Sequence, residues 1–248
     1  PVMQLPVGRC ATATYNRRVR IPLPGGWLDA VLIAGEEEMA ASDLVATARR
    51  LADAVCRRAA APMTLTCRTG CSACCRYLVP LSGAEAALLD GELDRLEPAM
   101  AGRLRGRLDE AARRMLGLGP PPTTAAELSE WYRRLKLPCP LLENDRCAIY
   151  AHRPLACREH LVTSPAELCA APEGTVARVH PAVSVLEALA EAAAAVSGEA
   201  IESIPLPLGR AFAQLHWGRL ERTFPAAALA DAFATAIERQ IGMRRVAG

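Results

Sequence analysis

Eight cysteines crowd into two short stretches of this chain, and thiols so spaced bind metal or exchange electrons. The first block is Cys67-x3-Cys71-x2-Cys74-Cys75. The second runs through Cys139-Pro140-Leu141-Leu142, Cys147-Ala148-Ile149-Tyr150, Arg153-Pro154 and Cys157-Arg158, with Cys169 beyond it. Gaps of two or three residues let successive thiolates turn inward on a common centre, as in zinc ribbons and iron–sulfur proteins. Soft thiolates select zinc, copper(I) or iron–sulfur over magnesium or calcium. Gly70 frees the backbone to fold back tightly between Cys67 and Cys71. Thiolates so crowded repel one another, and a cation removes that repulsion.

The vicinal pair Cys74-Cys75 narrows the reading only partly. Adjacent side chains point apart, so the pair could serve two metal centres, two irons of one cluster, or one ligand and one reactive thiol. Eight thiolates could fill two four-coordinate sites or hold one cubane with cysteines to spare. The blocks are separated by 63 residues, so a metal shared between them would close a long loop and couple folding to metal binding. Cys10 and Cys56 stand alone and read as structural.

Charged neighbours could tune such a centre. Arg153 and Arg158 flank Cys157, where guanidinium would offset negative charge and donate hydrogen bonds to sulfur, raising a cluster's potential. A salt bridge to Glu143, Asp145 or Glu159 is the competing reading, and Arg158 is also the candidate for binding an anion. His152 and His160 could replace a thiolate. Tyr150 reads as packing under its loop, and His180 and His216 as ordinary structural residues. Other chemistry is missing: there is no G-x-S-x-G elbow, no P-loop and no G-x-G-x-x-G after a strand. The Arg-rich run from Arg103 to Arg114 reads as a solvated face.

The string C-x3-C-x2-C-C, followed by C-P-x-L-x4-C-x-I-Y-x2-R-P-x2-C-R, resembles the YkgJ-like cysteine-cluster family, a putative zinc- or iron-chelating domain. The resemblance covers about residues 67 to 158, with Cys169 as a late member. It implies thiolate metal binding, an iron–sulfur cluster of the 4Fe–4S type ahead of zinc, and a distant relation to flagellin lysine-N-methylase, whose branch looks S-adenosylmethionine-linked. Cys67-x3-Cys71-x2-Cys74 also has the spacing of the radical S-adenosylmethionine motif. The alternating strands and helices that such an enzyme's barrel needs are absent.

These residues need a frame, and the rest of the chain reads as mainly α. Residues 14 to 33 predict a β-hairpin around Pro24-Gly25-Gly26. Helices are expected from Glu36 to Ala60, with an acidic start at Glu36-Glu37-Glu38 and Leu44, Ala48, Leu51 and Val55 on one face. Ser82-x-x-Glu85 predicts a capping box for a helix through Leu96. Further helices are expected over 99–116, after Thr124-x-x-Glu127, and at Ser164-Pro165-x-Glu167 with Pro at the first helical position. Others follow over 182–196, 206–222 and 226–241. The expected organisation is a single helical domain (1–248) with a hairpin extension (1–35), a cysteine-lined metal core formed by two irregular loops (67–170) and C-terminal helices (180–248).

A net charge of +2, from 29 basic against 27 acidic residues, lacks the basic excess of a nucleic-acid binder. No apolar run reaches membrane-span length and no secretory leader is visible, so a cytoplasmic address is expected. The expected function is that of an iron–sulfur metalloprotein in redox chemistry or in modification of a small molecule or peptide, with an electron donor as partner. A zinc-binding interaction module, or a metal-storage or redox-sensing protein, is the alternative.

Overall fold

The computed structural model of the chain describes residues 2–8, 13–117, 119, 122, 125–135, 137–171 and 175–247. Three strands open it: β1 (Met3–Pro6), β2 (Tyr15–Leu23) and β3 (Gly26–Ala34). β2 and β3 form the expected hairpin, with Val19 opposite Ala30 and Ile21 opposite Leu28. Its two-residue turn places Gly25 at φ +79°, where a side chain would be strained. β1 adds a parallel third strand beside β3. That strand is invisible to local pattern, because its partner is supplied by tertiary pairing. Val19, Ile21, Leu28, Ala30 and Leu32 alternate onto a buried face.

The run Glu36-Glu37-Glu38 does not open a helix. Residues Glu38–Ala40 form β4, which pairs antiparallel with Thr223–Pro225 and buries Met39. A 3-10 turn over Ala41–Leu44 follows, and α1 (Val45–Ala60) begins only there. Its predicted face holds: Leu44, Ala48, Leu51 and Val55 are fully buried.

β5 (Pro80–Leu81) leads into α2 (Gly83–Asp94). The capping box forms as predicted, with the Glu85 amide donating to Ser82 Oγ at 3.3 Å and the Ser82 amide to Glu85 Oε2 at 3.2 Å. α3 (Pro98–Leu116) and α4 (Ala125–Arg134) come next. Thr124 of the expected cap and Cys10 lie outside the described residues. β6 (Leu142–Glu143) and β7 (Arg146–Cys147) make a tight hairpin, whose turn residues Asn144 and Asp145 take positive φ. The short helices α5 (Leu155–Glu159) and α6 (Ala166–Ala170) follow. Pro165 occupies the N-cap of α6 rather than its first helical position, and the Ser164 hydroxyl accepts instead from the Ala177 amide at 3.2 Å.

α7 (Val185–Ser197) starts at Ser184, whose hydroxyl accepts from the Glu187 amide. β8 (Ile204–Pro205) pairs with β5. The stretch expected as one helix over 206–222 is divided. A 3-10 turn (Leu206–Leu208) precedes α8 (Gly209–Leu215), and non-helical His216 separates α8 from α9 (Trp217–Leu220). β9 (Thr223–Pro225) and α10 (Ala226–Ala247) end the fold.

The architecture is mainly α with a small N-terminal sheet. One apolar core joins the sheet to α1, α7 and α10, and includes Leu155 of α5. A second joins α2 and α3 to Leu141 and Ile149, with Cys139 and Cys147 packed against it. The second cysteine block therefore spans the seam between the two cores.

Candidate metal centre

Turns and hydrogen bonds, not long elements, shape the first block. The Val162 amide donates to Cys67 Sγ at 3.4 Å, and the Thr66 amide donates back to the Val162 carbonyl at 3.2 Å. Gly70, at φ +87°, lets the Cys71 amide reach the Arg68 carbonyl at 3.0 Å. Two further turns bring the Cys75 amide to Ser72 and the Tyr77 amide to Cys74. The second block docks on the first through its backbone: the Cys139 amide donates to the Cys75 carbonyl at 2.7 Å. Cys147 is then set by the β6–β7 hairpin, Cys157 by α5 and Cys169 by α6.

The thiols sense one another across the blocks. Cys74 is pushed well up by its hydrogen bond to Cys75, then by burial. Burial raises Cys139 to about 12, and Cys147 and Cys74 add to it. Burial also raises Cys147, with Cys74 adding to it and Arg153 opposing. Cys157 is driven far up by burial and by Cys139, Cys74 and Cys147. Burial raises Cys67 and Cys169 too, with Cys74 and Cys71 adding in both. Cys74 thus couples to cysteines of both blocks. Cys56, on α1, is raised to about 12 chiefly by burial, and no other cysteine contributes to its shift.

All nine described cysteines are unpaired thiols. Among the described residues, no three His, Cys, Asp or Glu side chains form a ready-made ion-binding group. The donor chemistry nevertheless suits a soft cation. Desolvated, mutually repelling thiolates are costly without a positive charge, and a thiophilic metal supplies one.

The two arginines flanking Cys157 divide their work. Arg158 is buried, and its fork grips Asp53 of α1 at 2.9 and 2.7 Å. It also donates to the carbonyls of Arg153 and Ala151. Its partner is therefore Asp53 rather than Glu143, Asp145 or Glu159, and it serves as a strut between α5 and α1. Arg153 lies 4.3 Å over the Tyr150 ring and lowers Cys74 and Cys147 electrostatically. Tyr150 is thus a half-exposed platform for a guanidinium, not packing beneath a loop. The arginines of α3 are not merely solvated: Arg103 and Arg107 both bind Glu143, clamping the β6–β7 hairpin, and Arg105 binds Asp90 and Asp94.

Two carboxylates hold α5 from either end, a role that the capping-box spacing of Glu85 and the charge of Glu159 do not reveal. Glu85 is buried, and its Oε1 accepts from the Leu155 amide at 2.8 Å. Glu159 accepts from the Val185 and Leu186 amides at 2.6 and 3.1 Å and from the Ser184 hydroxyl at 3.0 Å, and burial raises it to about 7. Both depend on partners far along the chain, Leu155 for Glu85 and Ser184 to Leu186 for Glu159, which local spacing does not carry. His152 joins Glu92 at 3.2 Å. His160 stands edge-on to Tyr77, with ring centroids 5.5 Å apart, and burial lowers it to about 4. Beside α5 lies a cavity of about 710 Å³ bordered by Cys74, Cys157, Tyr77, His160 and Arg178.

No described helix is long and apolar enough to cross a membrane. Comparison with curated proteins and with solved structures returned no match. A family model does match, and it matches the stretch that carries both cysteine blocks. Residues 66–174 match the model of the CxxCxxCC family, described as a putative zinc- or iron-chelating domain, a description that points to metal binding.

Proposed function

We propose that this protein carries an iron–sulfur cluster of the 4Fe–4S type and acts in redox chemistry or in modification of a small molecule or peptide. The observation that supports this reading is the meeting of the two blocks: the Cys139 amide donates to the Cys75 carbonyl at 2.7 Å, and Cys74 and Cys157 border one cavity. Eight cysteines in two blocks are more thiols than a single zinc ion uses, which favours a polynuclear centre. Bound there, a cluster supplies one-electron transfer and, where one iron lacks a protein ligand, a site for an incoming ligand. Cys67, Cys71, Cys74, Cys75, Cys139, Cys147, Cys157 and Cys169 form the donor pool.

The other groups have supporting roles. Arg153 offsets negative charge at Cys74 and Cys147. Glu85, Arg158 and Glu159 fix the helix that bears Cys157. The cavity beside Cys74 and Cys157 gives a substrate or an electron donor's group room to approach. The test is anaerobic purification. Brown protein with a broad band at roughly 400 nm and acid-labile sulfide is expected. Colourless protein with stoichiometric zinc overturns the iron–sulfur reading and makes the chain a thiolate–zinc module.

A further inference from the structure

Native interiors rarely leave a buried polar atom without a partner, and an ion or a water at the site is a usual reason when they do. His160 Nε2 is such an atom. Among the described residues, the other buried side-chain atoms without a hydrogen-bond partner belong to Asp29, Glu37, Arg49 and Glu143. None of those residues borders the cavity shared by Cys74 and Cys157, whereas His160 does.

The local chain explains the placement. Cys157 lies on α5 and His160 caps its C-terminus, three residues on. Residues three apart on a helical turn face the same side. The His160 amide still donates to the Ala156 carbonyl at 3.1 Å, so the turn is maintained up to the ring. Tyr77 then braces that ring edge-on. Cys157-x-x-His160 thus presents a thiol and an imidazole at the gap typical of paired metal ligands. Among the described residues no carboxylate pairs with the imidazole, and burial, then the charge of Arg178, disfavours a proton on the ring. A neutral imidazole with an open nitrogen is the form that ligates.

We infer that His160, through Nε2, is a nitrogen ligand of the metal held by the cysteine blocks. The inference rests on the proposed metal centre but not on which metal fills it. A mixed sulfur–nitrogen donor set follows. The centre then needs one thiolate fewer from the eight-cysteine pool.

The test is X-ray absorption at the edge of whichever metal the purified protein carries, on wild type, His160→Ala, His160→Cys and His152→Ala. Imidazole scattering is expected in wild type and His152→Ala, and its loss in His160→Ala. His160→Cys should keep metal, with sulfur in place of nitrogen. A chelator should strip metal from His160→Ala on the order of tenfold faster than from wild type. A sulfur-only shell in metal-loaded wild type, unchanged in His160→Ala, overturns the inference and leaves the metal centre standing. Wild type without metal overturns both. Should His160→Ala fail to fold, His160→Cys decides: retained imidazole scattering there counts against the assignment.

Discussion

The backbone amide of Cys139 donates to the carbonyl oxygen of Cys75 across 2.7 Å. This bond joins the two cysteine blocks through main chain rather than sulfur. That peptide bond, and the apolar core on which Cys139 and Cys147 pack, position the blocks alongside any metal. A metal adds to that frame by neutralising what the frame gathers.

Metal-free protein is accordingly expected to keep its helical circular dichroism. It should melt several degrees lower than the loaded form, since a ligand that binds only the folded state stabilises it. Thermal unfolding before and after chelation measures this. Identical melting curves would remove any energetic link between the fold and its ion.

Cys74 acts electrostatically on cysteines of both blocks, and no cysteine acts on Cys56. Cys74→Ser should lose most of the bound metal, while Cys56→Ser should retain it at wild-type stoichiometry. Metal analysis of the two variants, purified side by side, decides whether Cys74 is a ligand. Equal content in both would refute the assignment.

The Arg158–Asp53 pair predicts coupled destabilisation. Arg158 is 6% exposed and Asp53 43%, so solvent screens one end of the pair. Truncating either to Ala should cost about 2 kcal/mol, below the 3–5 kcal/mol of a fully buried pair. The double variant should lose less than the two single losses combined. Denaturant titrations of the four proteins give the coupling. Strict additivity would mean that the pair does not hold α5 to α1.

Glu85 gives the apoprotein a pH signature. Burial holds its carboxyl above the ordinary 4.5, against the pull of the Leu155 and Ser82 amides and of Arg49. The folded state therefore binds this proton more tightly than the unfolded state. That contribution to stability is complete below 4.5 and is lost as pH rises through the raised folded value. Wild type should lose stability relative to Glu85→Gln as pH climbs from about 4.5. Parallel stability–pH curves for the two proteins would count against it.

Local chemistry was the legible part of this fold. The Ser82–Glu85 box, the Pro24-Gly25 turn and the Leu44, Ala48, Leu51, Val55 face each depend on residues a few positions apart, so composition and period suffice. Glu38–Ala40 misled because its strand partner, Thr223–Pro225, lies at the other end of the chain. A strand of three residues has no period to read. Met3–Pro6 failed for the same reason. At the candidate site, residue type and spacing marked all eight cysteines, but not the struts. Asp53 reads as an ordinary solvent-facing helix residue until Arg158 reaches it. The open nitrogen of His160 is a property of its surroundings, which one-dimensional spacing does not carry.

The grip on α5 has a further consequence. Asp53 lies before residue 66, and the α7 amides that receive Glu159 lie after residue 174. A fragment excised at those borders would encode every thiol of both blocks. It would keep Glu85 but leave behind Asp53 and the α7 amides, which also anchor the short helix that aims Cys157. Transplanted alone into another protein, the cassette would carry its chemistry without its jig, so the ability to organise metal passes on only with the flanking scaffold.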